Sequence, residues 1–370
     1  MEEWKSYSLP DIARFSQGKQ VPLEDQYEIC KPGFDRFVRI VDYTSGGVQT
    51  PRYVSCDDKY RAEASDIIMI RYGTPGRVYR GIEGIIANNM FKIIPNEDIV
   101  SKQFLFWYLS DDSIYQQLLA SQSSTTMPAI AFGNLKNIIV NVPPKKTQER
   151  IVSILNKLDD KIHNNNRINH NLGETADEIL IDAIHNQAIK KDALGSICCY
   201  VKDKVDCGIL DNENYVSTDN MKPNKGGIEL SSSVPDGKCI SFILKDVLVS
   251  NIRPYFKKIW QATNKGGCSN DVLCFRSTNN TPSVLYHLLR SDSFFDYVMT
   301  GAKGSKMPRG DKSQIMKWEV PLFKPNYLYN LEKQLSVIDN SVSLNDLENK
   351  RLTVLRDTLL PSLLNGHINC

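Results

Sequence analysis

Two stretches of this sequence, 180 residues apart, repeat apolar residues in alternating steps of four and three. In the first, positions 151, 155, 158, 162, 165, 169, 172, 176 and 179 carry Ile, Leu, Leu, Ile, Asn, Asn, Leu, Ala and Ile. In the second, the same steps pick out Leu331, Leu335, Ile338, Val342, Asn345, Asn349, Leu352, Arg356, Leu359 and Leu363. This alternation is the seam of a coiled coil, narrower than the apolar stripe of a helix lying on a globular core. At 1.5 Å per residue, a helix of about 36 to 40 residues is ~55–60 Å long. The chain is therefore organised around two rods.

Each seam is interrupted by two asparagines at the same heptad positions, Asn165 and Asn169 in the first and Asn345 and Asn349 in the second. An apolar seam tolerates sliding by a heptad. A buried amide must find another polar group, so seam asparagines fix register at some expense of stability. Antiparallel pairing sets Asn165 near Asn349 and Asn169 near Asn345; parallel pairing also matches amide to amide, and spacing does not choose between them. A second reading has these residues facing solvent where the seam frays. Pro361 predicts fraying at the far end of the second helix.

The offset of 180 extends beyond the helices. It places Asp66-Ile67 on Asp246-Val247, Asp112-Ser113 on Asp292-Ser293 and Met127-Pro128 on Met307-Pro308, with a slip of two where Val142-Pro143 meets Val320-Pro321. One shared offset reads as a duplicated unit. Each copy begins with roughly 140 residues of short β-branched and aromatic runs, such as DIIMIRY and SFILKDVLVS, split by Gly, Pro and Asn turns. Each contains one apolar stretch that fits a helix, at 104–120 and 283–299, then a Pro-containing passage into the long helix. The expected division is two mixed, strand-rich domains at 1–144 and 191–325, with long helices at 145–190 and 326–370.

With 370 residues, 41% hydrophobic and 24% charged, the chain has room for two cores. A formal charge of +2 does not by itself announce a polyanionic partner. No run approaches the ~18 apolar residues of a membrane span, and the N-terminus MEEWKSYSLPDIARF lacks the pattern of a signal peptide, so no membrane association and a cytoplasmic location are expected. The nine cysteines are odd in number and contain no CxxC pair, and the five histidines are scattered. Reduced, structural thiols and no metal site are the expectation.

Overall neutrality hides local basic loops. In RYGTPGRVYRG, Arg71, Arg77 and Arg80 interleave with Tyr72 and Tyr79 around Gly73, Gly76 and Gly81, and Asn88, Asn89, Ser124 and Thr125 lie on later loops of the same copy. In the second copy Asn251, Arg253, Tyr255, Lys257 and Lys258 are followed by Ser269 and Asn270, then by Lys306, Arg309 and Lys312. Arg and Lys on glycine-rich loops reach phosphates and guanine edges, Asn pairs with adenine, and tyrosines pack on sugars or bases. A single loop cation is most often a solvated charge, and a loop tyrosine most often caps a core. Clustering at matching places in both copies is what favours nucleic acid. No catalytic pattern competes: GxxxxGK[ST], GxSxG and a post-strand GxGxxG are all absent, and the acids show no paired spacing.

These residues resemble the specificity subunit of type I restriction-modification systems. The resemblance spans essentially the whole chain. It rests on DIIMIRYGTPGRV, on SNIRPYFKKIW followed by GGCSNDVLCFR, on KMPRGDK, and on the junction VPPKKTQERIVSILNKLDDKI with its Gln148-Glu149-Arg150 run. The second junction, VPLFKPNYLYNLEKQL, lacks that run, which puts the start of the second helix in question. The resemblance implies an α+β fold: two target-recognition domains joined by two long helices forming an antiparallel coiled coil, with internal two-fold pseudo-symmetry. It implies a non-catalytic subunit that binds double-stranded DNA at an asymmetric split target, the helices setting the gap. Its implied partners are two methyltransferase (M) subunits, which methylate adenine, and two restriction (R) subunits. S-adenosylmethionine, ATP and Mg2+ then belong to the partners and none to this chain. A two-headed scaffold whose heads bind proteins remains the alternative.

Overall fold

The computed structural model describes residues 3–44, 50–120, 129–130 and 132–366. The chain forms two compact units, residues 1–163 with 349–370, and residues 164–348. Each long helix, Lys145–Gln187 and Pro325–Leu364, contributes a segment to both units.

In the first unit the central strand Ile67–Ile70 lies between Met90–Pro95 and Val78–Tyr79, with Ala13–Gln17 beyond. The run Ile-Ile-Met-Ile has no polar alternation because both its faces are covered. Ile67 and Met69 join the core built from the helices, which includes Phe104, Leu105, Ile151, Leu155, Leu360 and Leu363. Ile68 and Ile70 face a second core with Phe37, Val54 and Ile86 on the sheet of Arg52–Val54, Asp35–Val38, Gly84–Ile86 and Arg61–Ala62. Lys5–Ser8 and Ile139–Val142 pair antiparallel beside the helix entry.

The second unit repeats the plan. Val247–Ser250 lies between Val272–Ser277 and Ile259–Gln261, with Cys198–Tyr200 at the edge. Val247 and Val249 face the helix-side core with Phe294, Leu331 and Leu335, and Leu248 faces the other core with Phe242 and Val272. The second sheet, Lys204–Asp206, Lys238–Phe242, Gly266–Cys268 and Tyr215–Val216, again holds one parallel pair. That pair explains two glycines. A Cβ on Gly84 would sit 2.2 Å from the Arg36 carbonyl oxygen, and one on Gly266 would sit 2.0 Å from that of Asn214. Both clashes are with backbone that strand pairing holds. Gly266→Ala is expected to lower stability by about 1–3 kcal/mol, as overpacking does, and a melting temperature unchanged in thermal unfolding would refute the close-approach argument.

Two features differ from the sequence expectation. The single helices at 104–120 and 283–299 are each two helices, Lys102–Ser110 with Asp112–Ala120, and Pro282–Arg290 with Asp292–Thr300. The breaks fall at Asp111 and Ser291, whose extended backbone ends one helix while the side chain accepts an N–H of the next, from Ser113 (2.7 Å) and Phe294 (3.2 Å). Pro361 does not fray the second helix. It lies on an exposed side while Leu360, Leu363 and Leu364 are buried, so packing carries the helix through to Leu364.

The departure at the second junction also resolves. Gln148, buried in the first long helix, accepts the Ser101 N–H (2.8 Å) and donates to the Ile99 and Pro143 carbonyls, tying the helix to the start of Lys102–Ser110. In the second unit Glu332 fills this role from a position further along its helix, accepting the N–H groups of Ser283 (3.0 Å) and Val284 (2.9 Å). Burial raises the Glu332 carboxyl above its ordinary range despite those donors. The second helix begins at Pro325, where the missing N–H needs no partner.

The seam positions are all buried or half-buried in both helices. Their direction is antiparallel. In the second unit Asn165 donates to Glu348 (2.7 Å), Asn169 donates to Asp346 (2.8 Å), and Asn345 donates to Asn169 (2.8 Å). Asn165 is 1% exposed, so its amide is a seam residue rather than a solvated one. Asn349 is half-buried in the first unit, where Arg356 reaches Asp159 (3.0 Å).

Candidate nucleic-acid interface

Three loops meet at the end of each central strand, and the bonds that join them recur at the 180-residue offset, with a slip of two at Asn89 and Asp271. In the first unit the Arg71 N–H donates to the Asn89 carbonyl (2.8 Å), the Ile130 N–H donates to the Arg71 carbonyl (3.1 Å), and Tyr72 bridges to Ala129. In the second, the Asn251 N–H donates to the Asp271 carbonyl (2.8 Å), the Gly310 N–H donates to the Asn251 carbonyl (3.3 Å), and Ile252 bridges to Arg309. Segments that are distant in sequence thus form one surface in each unit. The shared backbone carries different side chains.

In the first unit Arg71 lies 5.1 Å from the Tyr72 ring and forms no ion pair among the described residues. Gly73 supplies the left-handed backbone (φ 89°) for the turn after them. Asn88 donates to Gln20 (3.3 Å), and Asn89 has a buried side-chain oxygen with no partner. The other expected residues are engaged by side chains of the same unit. Arg77 pairs with Asp112 (2.6 Å) and lies 3.8 Å over Tyr115. Tyr79 stacks on Tyr43 at 5.0 Å, and burial raises its phenol. Arg80 lies 4.2 Å over Phe106 and reaches Asp159 (3.6 Å) on the first long helix, so it braces the rod. Ser124 and Thr125 lie outside the described residues.

In the second unit Asn251, Arg253 and Ser269 each hold a buried polar atom without a partner: Oδ1, Nε and Oγ respectively. Orphaned polar groups gathered where loops converge are suited to a ligand that supplies the missing bonds. Asn270, Lys306 and Lys312 are exposed, and Arg309 meets Asp271 at 3.2 Å on an open surface. Lys257 pairs with Asp292 (3.0 Å). Lys258 points inward, donating to the Thr218 carbonyl (2.6 Å), and burial lowers its ammonium pKa. Tyr255 stands outward.

Sequence reading missed one contributor. Met221 and Ile228 bridge to form a small hairpin whose tip, Lys222-Pro223-Asn224-Lys225-Gly226-Gly227, grips the basic loop. The Asn224 N–H donates to the Phe256 carbonyl (2.8 Å) and the Lys225 N–H to the Lys257 carbonyl (2.9 Å). Lys225 also shares Asp292 with Lys257, and the Lys225 bond is the chief reason that the Asp292 carboxyl titrates below its ordinary range. The Pro-Asn and Gly-Gly pairs are turn signals that mark the tip, but not its docking site.

Among the described residues no group of three or more His, Cys, Asp or Glu side chains is placed to hold a metal ion, and no helix is long and apolar enough to cross a membrane.

The two units share one plan: in each, the central strand ends at a three-loop surface of polar and basic residues, and the long helices run antiparallel beside it. Residues 1–173 match the family model described as type I restriction modification DNA specificity domain. The chain is similar at 24% identity to the type I restriction enzyme HindI specificity subunit of Haemophilus influenzae, all of both chains being covered. It is similar at 21% identity to the MjaVIII specificity subunit of Methanocaldococcus jannaschii, with 99% of this chain and 93% of the relative covered. In fold it resembles the S subunit of a type I restriction-modification system from M. genitalium, with TM-score 0.57, 16% identity, and coverage of 98% and 96%. The first 173 residues thus match the family's DNA specificity domain, and over its whole length the chain is similar to type I restriction-modification specificity subunits.

Proposed function

We propose that this chain is the non-catalytic DNA-reading subunit of a type I system, and that each unit reads one half of an asymmetric, split double-stranded DNA target. In this reading residues 1–144 and 191–325 are the target-recognition domains. The helical regions 145–190 and 326–370 set the gap between half-sites, with Asn165, Asn169, Asn345 and Asn349 fixing register. Two methyltransferase subunits bring S-adenosylmethionine and methylate adenine; two restriction subunits bring ATP and Mg2+; the assembly works in the cytoplasm. The observation that supports this best is the pair of three-loop surfaces: one backbone arrangement, carrying Arg71, Tyr72 and Ala129 in one unit and Asn251, Ile252 and Arg309 in the other. A common docking geometry with unlike base-reading groups suits two unlike half-sites.

The test is adenine methylation mapped across the host genome with the gene intact and deleted. Loss of methylation at one split motif of two unlike halves is the expected result. Methylation that does not change in a strain expressing the gene and its neighbours would end the methyltransferase partnership and favour the protein scaffold. Within the motif, Arg71→Ala and Arg309→Ala are expected to weaken recognition of different halves, each by about 1–3 kcal/mol for a base-contacting arginine. Competition binding with duplexes altered in one half at a time measures this. Equal loss in both halves would contradict the one-unit-per-half assignment.

A further inference from the structure

The turn Pro254–Phe256 in the second unit stands between two left-handed residues that are not glycine, Arg253 (φ 49°) and Lys257 (φ 51°). Side chains rarely tolerate that backbone, and it persists only where the surroundings over-determine it. Here they do. The Arg253 N–H donates to the Pro308 carbonyl (2.8 Å), and the Phe256 and Lys225 hydrogen bonds described above clamp the other side. Pro254 is buried beneath the turn.

What this rigid turn presents is an aromatic pair. Tyr255 is 47% exposed and Phe256 37% exposed, with ring centroids 4.7 Å apart. Beside them Lys225 and Lys257 share the carboxylate of Asp292, two cations against one anion, and Lys258 Nζ lies 6.0 Å from the Phe256 ring. The corresponding turn of the first unit is Gly73-Thr74-Pro75-Gly76, which obtains its left-handed backbone from glycine (φ 89° and 101°) and carries no aromatic residue. Of these two turns, only that of the second copy holds non-glycine backbone in this conformation and places rings at its tip.

Resting on the DNA-reading proposal above, we propose that Tyr255 and Phe256 form a wedge that enters one half-site of the DNA and unstacks a base step there, while the flanking lysines hold the phosphates on either side. Aromatic faces stack on any base, and wedges set among cations are how proteins kink a duplex. A docking site for a neutral protein surface gains nothing from Lys225, Lys257 and Lys258 at this turn; a polyanion does. The first half-site, met by a glycine turn, stays stacked.

The experiment uses the complex of this chain with its methyltransferase subunits, and a duplex carrying the split motif with 2-aminopurine replacing adenines in each half in turn, the methylated adenine excepted. With the native chain, fluorescence rises in one half only. Tyr255→Ala with Phe256→Ala abolishes the rise and weakens binding of the motif roughly 10- to 100-fold, whereas Tyr255→Phe keeps both. A native complex that binds the motif with flat fluorescence in both halves, or a double variant that keeps the rise, overturns the wedge and leaves the DNA reading standing. A double variant that no longer assembles with the methyltransferase makes the turn a protein contact, which also overturns the wedge. A native complex that does not distinguish the motif from unrelated duplex overturns the DNA reading itself.

Discussion

Asp339→Ala is expected to destabilise the second unit by about 3–5 kcal/mol, the usual consequence of removing one partner of a buried charged pair. For a unit of this size that lowers the melting temperature by roughly 10 °C. His287, 3% exposed on the helix Pro282–Arg290, places Nε2 2.9 Å from Asp339 on the second long helix and Nδ1 3.8 Å from Asp177 on the first. Arg290 closes the group by pairing with Asp177 at 2.5 Å. Burial works against a charged imidazole, yet Asp177 and Asp339 outweigh it and hold His287 above its ordinary pKa. Burial likewise works to raise Asp177, and His287 and Arg290 outweigh it and hold that carboxyl below its usual range.

The pH dependence follows from these directions. The His287 contribution is complete below about pH 6.5, the unfolded imidazole value, and is lost as pH rises through the folded pKa. The Asp177 contribution is complete above about pH 4 and is lost as acid titrates the folded carboxyl. Stability from this clamp is therefore greatest in the mildly acidic window and declines on the alkaline side. His287→Gln should flatten that alkaline decline, read by scanning calorimetry at a series of pH values. A variant whose decline matches the native one would show that the imidazole is not its source. At the matching positions the first unit has Trp107 and Asp159, and there the indole N–H donates to Asn156 (2.9 Å) while Asp159 meets Arg80 and Arg356. That joint is built without an imidazole.

Features that depend on residues near one another in sequence were legible. The four-three steps of the seam marked positions that are all shielded in the structure, and the β-branched run in DIIMIRY marked the strand Ile67–Ile70. The loops that converge were found because Gly, Arg, Tyr and Asn concentrate in them. What escaped depends on distant partners. Nothing near Arg80 shows that it will lie over Phe106 and reach Asp159, and nothing near Lys258 shows that its ammonium will be taken by the Thr218 carbonyl. The hairpin at Lys222–Gly227 reads as an ordinary turn until its tip is seen on the 254–257 backbone. The cation count of a loop is therefore not its net charge: in the first unit Arg77 and Arg80 meet carboxylates, and Arg71 forms no ion pair among the described residues. The helix breaks at Asp111 and Ser291 are a related case, since apolar content continued across a residue whose side chain served the next helix as a cap.

On the proposed DNA-reading function, inserting one heptad into both long helices, between residues 163 and 164 and between residues 348 and 349, is expected to widen the gap of the split motif by about one to three base pairs while leaving both half-site sequences unchanged. These places separate the contacts of one unit from those of the other: Asp159 with Arg356 on one side, Asn165 with Glu348 and Asn169 with Asn345 on the other. Seven residues preserve the four-three steps, so the seam continues, whereas an insertion of five residues would turn it off its partner. The added length is about 10 Å, which corresponds to about three base pairs at 3.4 Å each. Each added base pair also turns the second half-site by about 35° around the duplex, and the loops that read it must follow. Axial reach therefore sets the upper limit, and rotation favours the smaller steps. Methylation mapping of the inserted variant reads the outcome directly. An unchanged gap at full methylation would show that the helices do not set the spacing, and altered half-site sequences would show that the loops do not carry the specificity.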